Sequence, residues 1–174
     1  RRPGGEPLAA QFAISTSPSA SLWLRWRIAA VQPGPGAVLA LADPTSNAPP
    51  GTQRDAAEWL EGLVLPALPH ARAEARTLVE ALPEGGALKL GHEASERFLK
   101  TSPLGRWGLL HFATHAVVDE THPARSALIL AGDGEEDGLL QPREIAALDL
   151  TGKAVLLSAC RSASRASSSF PVSR

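Results

Sequence analysis

The sequence has no methionine and a single cysteine among its 174 residues. One cysteine excludes an intramolecular disulfide and fits a reducing compartment, so a cytoplasmic location is expected. The lack of methionine, position 1 included, raises the expectation that the chain starts inside a longer polypeptide. No apolar run reaches the roughly 18 residues that span a bilayer. The most lipophilic N-terminal stretch, residues 21–31, is interrupted by Arg25 and Arg27. It also lacks the basic, apolar, small-residue order of a secretory signal, so no membrane partner is expected. Charge of one sign is scarce too: 17 basic and 18 acidic residues leave a formal charge of −1, which argues against a nucleic-acid partner. Neither G-x-G-x-x-G nor G-x-x-x-x-G-K-[ST] occurs, so a nucleotide-binding α/β domain would lack its phosphate loop. Paired cysteines are absent, and His70, His92 and His122 read as helix-entry or exposed loop residues, so no metal site is expected.

What is present suits one globular domain: 44% apolar and 20% charged residues can build a real core. Residues 1–20, rich in Pro, Gly, Ser and Ala, read as a loop or the remnant of a longer N-terminal region. Residues 21–162 carry the domain and open on a helix-like segment over 21–31. The serine-rich end of the chain reads as disordered, with 163–174 as a tail outside the domain.

Within the domain, "GPGAVLALADP" presents a turn, an apolar run and an acid before proline, which predicts a buried strand stopping at Asp43. From Pro69 the pattern turns helical: Ala71, Ala75, Leu78, Val79 and Leu82 form one stripe, with Arg72, Glu74, Arg76 and Glu80 off it. "ALKLG", "WGLLHFAT", "SALIL" and "KAVLLSA" read as strands, and "EASERFLK" and "QPREIAAL" as helices. Continuously apolar strands alternating with helices predict an α/β fold, a largely parallel sheet with helices on both faces.

Two stretches carry the chemistry. "LLHFATHAVVDETHPARSALIL", residues 109–130, ends an apolar run on two histidines, and "AVLLSACRS", residues 154–162, ends one on the cysteine. In open α/β sheets, ligands and reacting groups gather beyond the carboxyl ends of the strands. Asp43, His115 and Cys160 each follow a strand and so project from one edge. A thiol is a few per cent thiolate at neutral pH, and an imidazole beside it supplies the missing base. Cys160 and His115 are separated by 45 residues, similar to the roughly 50-residue histidine-to-cysteine spacing of caspases. On composition alone, a lone cysteine after an apolar run is more often a small buried hydrophobe than a nucleophile.

"HFATHAVVDETHPARSALIL", then "DGLLQPREIAALDL", then "AVLLSAC", meets in order a pattern of H-F-A-T-H-G, P-x-x-S-x-L-x-L, D-G-x-L-x-x-x-E-I-x-x-L-x-L and L-S-A-C. It resembles the CHAT domain, a caspase-like cysteine peptidase module often found downstream of tetratricopeptide repeats. The likeness extends upstream through "LADP", "ARAEARTLVEAL" and "GHEASERFL", covering roughly residues 16–162. It implies a caspase-like fold, His115 as the catalytic histidine, Cys160 as the nucleophile and His111 as a structural neighbour. It also implies an oxyanion site made by the backbone N–H groups of Ala116 and Cys160, a protein or peptide substrate, and no cofactor. Asp43 stands where such folds open onto the substrate cleft, so a substrate-binding or orienting role is weighed against that of a turn-initiating residue before Pro44. Pro123 and Ser126 read as a turn, Asp137 and Gly138 as a tight turn, and Glu144 and Ile145 as helix cap and core.

Two departures from the family pattern stand out. Ala116 replaces a glycine, and if that position required positive φ the alanine would cost about 1 kcal/mol or more. After Cys160 the sequence reads "RSASRASSSFPVSR" instead of a glycine-containing loop with further helices and strands. This raises the expectation of a sheet incomplete at the C-terminus, with the Cys160 strand as an exposed edge. The functional expectation is a cysteine endopeptidase domain, inactive if truncation has removed its substrate pocket, with tetratricopeptide repeats in the parent chain. The alternative is a non-catalytic interaction module that keeps the fold.

Overall fold

"VLALA", Val38–Ala42, forms strand β1, and all five side chains are fully buried. Such a run, apolar on both faces, belongs in the interior of a parallel sheet. The structure, a computed structural model, describes residues 19, 21, 24, 36–45, 65, 68–82, 85–159 and 161–164. The chain divides into two units, Arg1–Gln32 and Pro33–Arg174. In the first, Ser21 and Leu24 are helical; the rest of the helix expected over 21–31 lies outside the described residues.

In the second unit β1 pairs in parallel with β2 (Gly86–Leu90) and with β3 (Leu109–Ala113), and β3 pairs in parallel with β7 (Ala154–Leu157). The order β2-β1-β3-β7 is the largely parallel sheet that the apolar runs predict. Gly86 is required where β2 meets β1, since a Cβ there would lie 2.4 Å from the Val38 carbonyl oxygen.

Helices cover both faces. Helix α1 (Pro69–Ala81) sets the predicted stripe of Ala71, Ala75 and Val79 against Ala40, Ala42 and Ala113. These small side chains let helix and sheet approach closely without voids. On the other face Leu39, Leu41, Leu110 and Phe112 pack with Leu99 and Phe98 of α2 (Glu96–Thr101) and with Ile145 of α3 (Pro142–Ile145). Ser95 caps α2, its hydroxyl accepting from the Phe98 N–H at 3.1 Å. Glu144 reaches back from α3 to the Gln141 N–H at 2.8 Å, so the cap and core roles expected of Glu144 and Ile145 are both observed.

A second small sheet has the order β6-β5-β4-β8. It is built from β4 (Ala116–Val118), β5 (Ala127–Ile129), β6 (Leu139–Leu140) and β8 (Arg161–Ser164). Val117, Ala127, Ile129 and Leu139 form its core. Here the structure differs from the sequence reading: residues 161–164, part of a stretch read as disordered, pair in parallel with β4. Strand pairing rests on backbone hydrogen bonds, so "RSAS" can join a ladder that its side chains do not announce. His70, read as preceding a helix, is the second residue of α1.

Candidate active site

Three chain segments end side by side where β1, β3 and β7 run out. The Asp43 N–H donates to the Ala113 carbonyl at 3.0 Å, and the Ser158 N–H to the Phe112 carbonyl at 2.8 Å. These bonds continue the parallel register past the strands and align the residues that follow each of them.

His115 occupies the link between β3 and β4 and is 7% exposed. Its carbonyl accepts from the Ile129 N–H at 2.9 Å, and the hydroxyl of its neighbour Thr114 donates to the Ile129 carbonyl. Both residues are thereby stapled to β5. Ala116 opens β4 between Leu128 on one side and Arg161 on the other. Asp43 is the positive-φ non-glycine residue of the described backbone, so Ala116 carries no left-handed strain.

His111, four residues earlier on β3, points to the α1 face and is fully buried. Its Nε2 lies 3.3 Å from Glu74 Oε1, and neither ring nitrogen makes a well-formed hydrogen bond. Burial pushes the imidazole below the ordinary histidine range, against the upward pull of the Glu74 carboxylate and the Leu156 backbone. The two histidines therefore differ in kind: one inside the sheet, one at its edge.

Asp43 is committed within the chain. Its Oδ1 accepts from the Leu68 N–H at 2.7 Å, and its Oδ2 is paired with the Arg72 guanidinium. Burial alone would raise this carboxyl, but Arg72 and the Leu68 N–H, with a smaller contribution from His115, outweigh it and hold it below the ordinary range. An acid at the start of α1 also suits the positive end of the helix dipole. Both oxygens thus serve to moor α1 to the end of β1, beside His115.

Cys160 lies outside the described residues, but the chain on either side of it is described. Ser158 is bound to Phe112, and Arg161 is paired with Ala116. The segments that bracket Cys160 are therefore tied to the segments that bracket His115.

Sequence reading missed two features. Glu74 was one of several charges off the α1 stripe, yet its Oε1 accepts from the Ser158 hydroxyl as well as contacting His111. No local pattern signals a bond between residues 84 apart. The other is an acidic cluster, Glu96, Glu136 and Glu144, whose oxygens lie within 4.8 Å of one another. The Lys100 ammonium sits among them at 2.7, 2.7 and 2.9 Å. A lysine supplies there the positive charge that a metal would, and only its i,i+4 spacing from Glu96 was visible in the sequence.

Among the described residues no helix is long and apolar enough to cross a membrane. No curated protein and no solved structure matches the chain. The family model of the CHAT domain matches residues 1–170. With its parallel sheet covered by helices on both faces, the chain belongs to the CHAT domain family and has its caspase-like α/β fold.

Proposed function

We propose that this domain is a cysteine endopeptidase module in which Cys160 and His115 form the reacting pair and a protein is the substrate. The observation that carries this reading is the double bracket: Ser158 on Phe112 before the cysteine, Arg161 on Ala116 after it. The Cys160 sulfur attacks the scissile carbonyl carbon while His115 takes the thiol proton. The same imidazole then delivers that proton to the leaving amine, and an acyl thioester remains. Water, deprotonated by His115, attacks the thioester, releases the carboxylic acid and restores the thiol. The developing oxyanion is assigned to the backbone N–H groups of Ala116 and Cys160. Asp43 acts from outside the reacting pair, by holding α1 and the end of β1 beside His115.

The test is cleavage of a denatured, fluorescently labelled casein. The wild type is expected to cut it, Cys160→Ala to be inactive, and His115→Ala to be slower by roughly 10²-fold or more. Equal cleavage by all three chains would refute the assignment.

One observation favours a second reading, that of a non-catalytic interaction module. Val155, Leu156 and Leu157 of β7 are 44%, 43% and 56% exposed, and an apolar edge strand is a template for pairing with another chain. An unreactive Cys160 in a folded chain that pairs with another chain through β7, the pairing being lost in Leu157→Lys, would decide for that reading.

A further inference from the structure

We infer that Glu74 is a positioning residue for the proposed nucleophile: from α1 it holds Ser158, and through Ser158 the segment that leads into Cys160. This inference rests on the peptidase reading and extends it to a residue outside the reacting pair.

The geometry begins on α1. Arg72 and Glu74 are two positions apart, so they leave the helix on roughly opposite flanks, about 200° around its axis. Arg72 reaches Asp43 at the end of β1, while Glu74 reaches His111 on β3 and Ser158 beyond β7. The start of one helix therefore grips both the inner strand and the outermost strand of β2-β1-β3-β7.

Ser158 needs such a grip more than Asp43 does. Asp43 follows a strand with neighbours on both sides, whereas β7 pairs with β3 alone among the described residues. Its side chains are also partly exposed, so packing restrains the strand weakly. Two contacts fix Ser158: its N–H on the Phe112 carbonyl at 2.8 Å and its hydroxyl on Glu74 Oε1. The first sets the height of the chain along β3. The second sets its direction toward α1 at Ser158, two residues and at most about 7 Å of chain before the cysteine. The fully buried His111 fills the space behind Glu74 Oε1, 3.3 Å away, and limits where that carboxylate can go. A dyad tolerates little misplacement, since about 1 Å can cost roughly 10²-fold in rate.

The experiment is a mutant cycle read on the thiol itself. The rate of Cys160 alkylation by iodoacetamide is followed against pH in the wild type, Glu74→Ala, Glu74→Gln, Ser158→Ala, Glu74→Ala/Ser158→Ala and His115→Ala. Circular dichroism and urea midpoints are recorded for each. Glu74 is half exposed, so its variants are expected to fold. Loss of this solvent-exposed charge-assisted hydrogen bond predicts about two- to fivefold slower alkylation near neutral pH in Glu74→Ala and in Ser158→Ala, with the apparent thiol pKa moved toward its ordinary value. The double variant should be no slower than either single one, and Glu74→Gln, which keeps an acceptor, should recover most of the rate. Unchanged profiles in Glu74→Ala and Ser158→Ala, with a shifted one in His115→Ala, would overturn this inference and leave the peptidase reading standing. An ordinary thiol in the wild type, indifferent to His115→Ala, would overturn both.

Discussion

Asp43 has φ of 44°, a left-handed conformation that a short polar side chain tolerates better than most. The carboxylate that makes this conformation worthwhile joins two elements, so its removal should be felt in stability. Asp43→Ala is expected to cost about 2 kcal/mol, most of it from the Leu68 N–H left without its acceptor, since the Arg72 partner is half exposed and screened by water. Urea denaturation checks this, and Asp43→Asn, which keeps an acceptor and tolerates the backbone, should lose clearly less. Because the folded carboxyl sits below its ordinary 3.8, this contribution is present above that pH and fades as acid protonates the folded form. Glu96 behaves in the opposite sense. Fully buried, it accepts from the Gly138 N–H at 2.8 Å and is ion-paired with Lys100 at 2.7 Å, and burial pushes its carboxyl from 4.5 up to about 7. Below 4.5 folded and unfolded states are both protonated there; as pH rises toward 7 the unfolded chain ionises first and stability falls. Relative to Glu96→Gln, the wild type should therefore lose on the order of 2–3 kcal/mol between about pH 5 and about pH 8. Parallel stability profiles for the two chains would contradict that account.

Among the described strands, β7 exposes large apolar side chains, Val155, Leu156 and Leu157. Its Val155 and Leu157 border an open apolar hollow with Phe112, Leu140, Ile145 and Leu150, and no charge lies between Lys153 and Arg161. Natural edge strands are commonly blunted by charge, and lysine is the usual device. Leu157→Lys should cost about 1 kcal/mol or less, because the side chain is already half in water, and should reduce self-association measured by light scattering. Equal scattering by both chains would show that β7 is not the adhesive element. How much of this was legible follows from the physics of each element. β1, α1 and β3 announce themselves because burial on both faces or on one helical stripe imposes an apolar run or a 3.6-residue period. β4 and β6 are three and two residues long, too short for any period, and β8 pairs through its backbone. Asp43, His115 and the flanks of Cys160 were brought to one edge by strand order alone. The bonds from α1 that fix that edge depend on side-chain reach across 29 and 84 residues, which no local pattern encodes.

For the whole molecule, the family membership and the parallel sheet turn separate strand ends into one candidate site. A parallel sheet places the carboxyl end of every strand on the same side, so residues distant in sequence are brought to one edge. The peptidase account depends on whether that meeting activates the thiol. The most direct measurement is the rate of Cys160 alkylation against pH in the wild type and in His115→Ala, with circular dichroism establishing that both are folded. The account predicts an apparent pKa well below the ordinary value of about 8.5 in the wild type and a shift in the variant. Identical ordinary titration in the two folded chains, or no reaction in either, would contradict it.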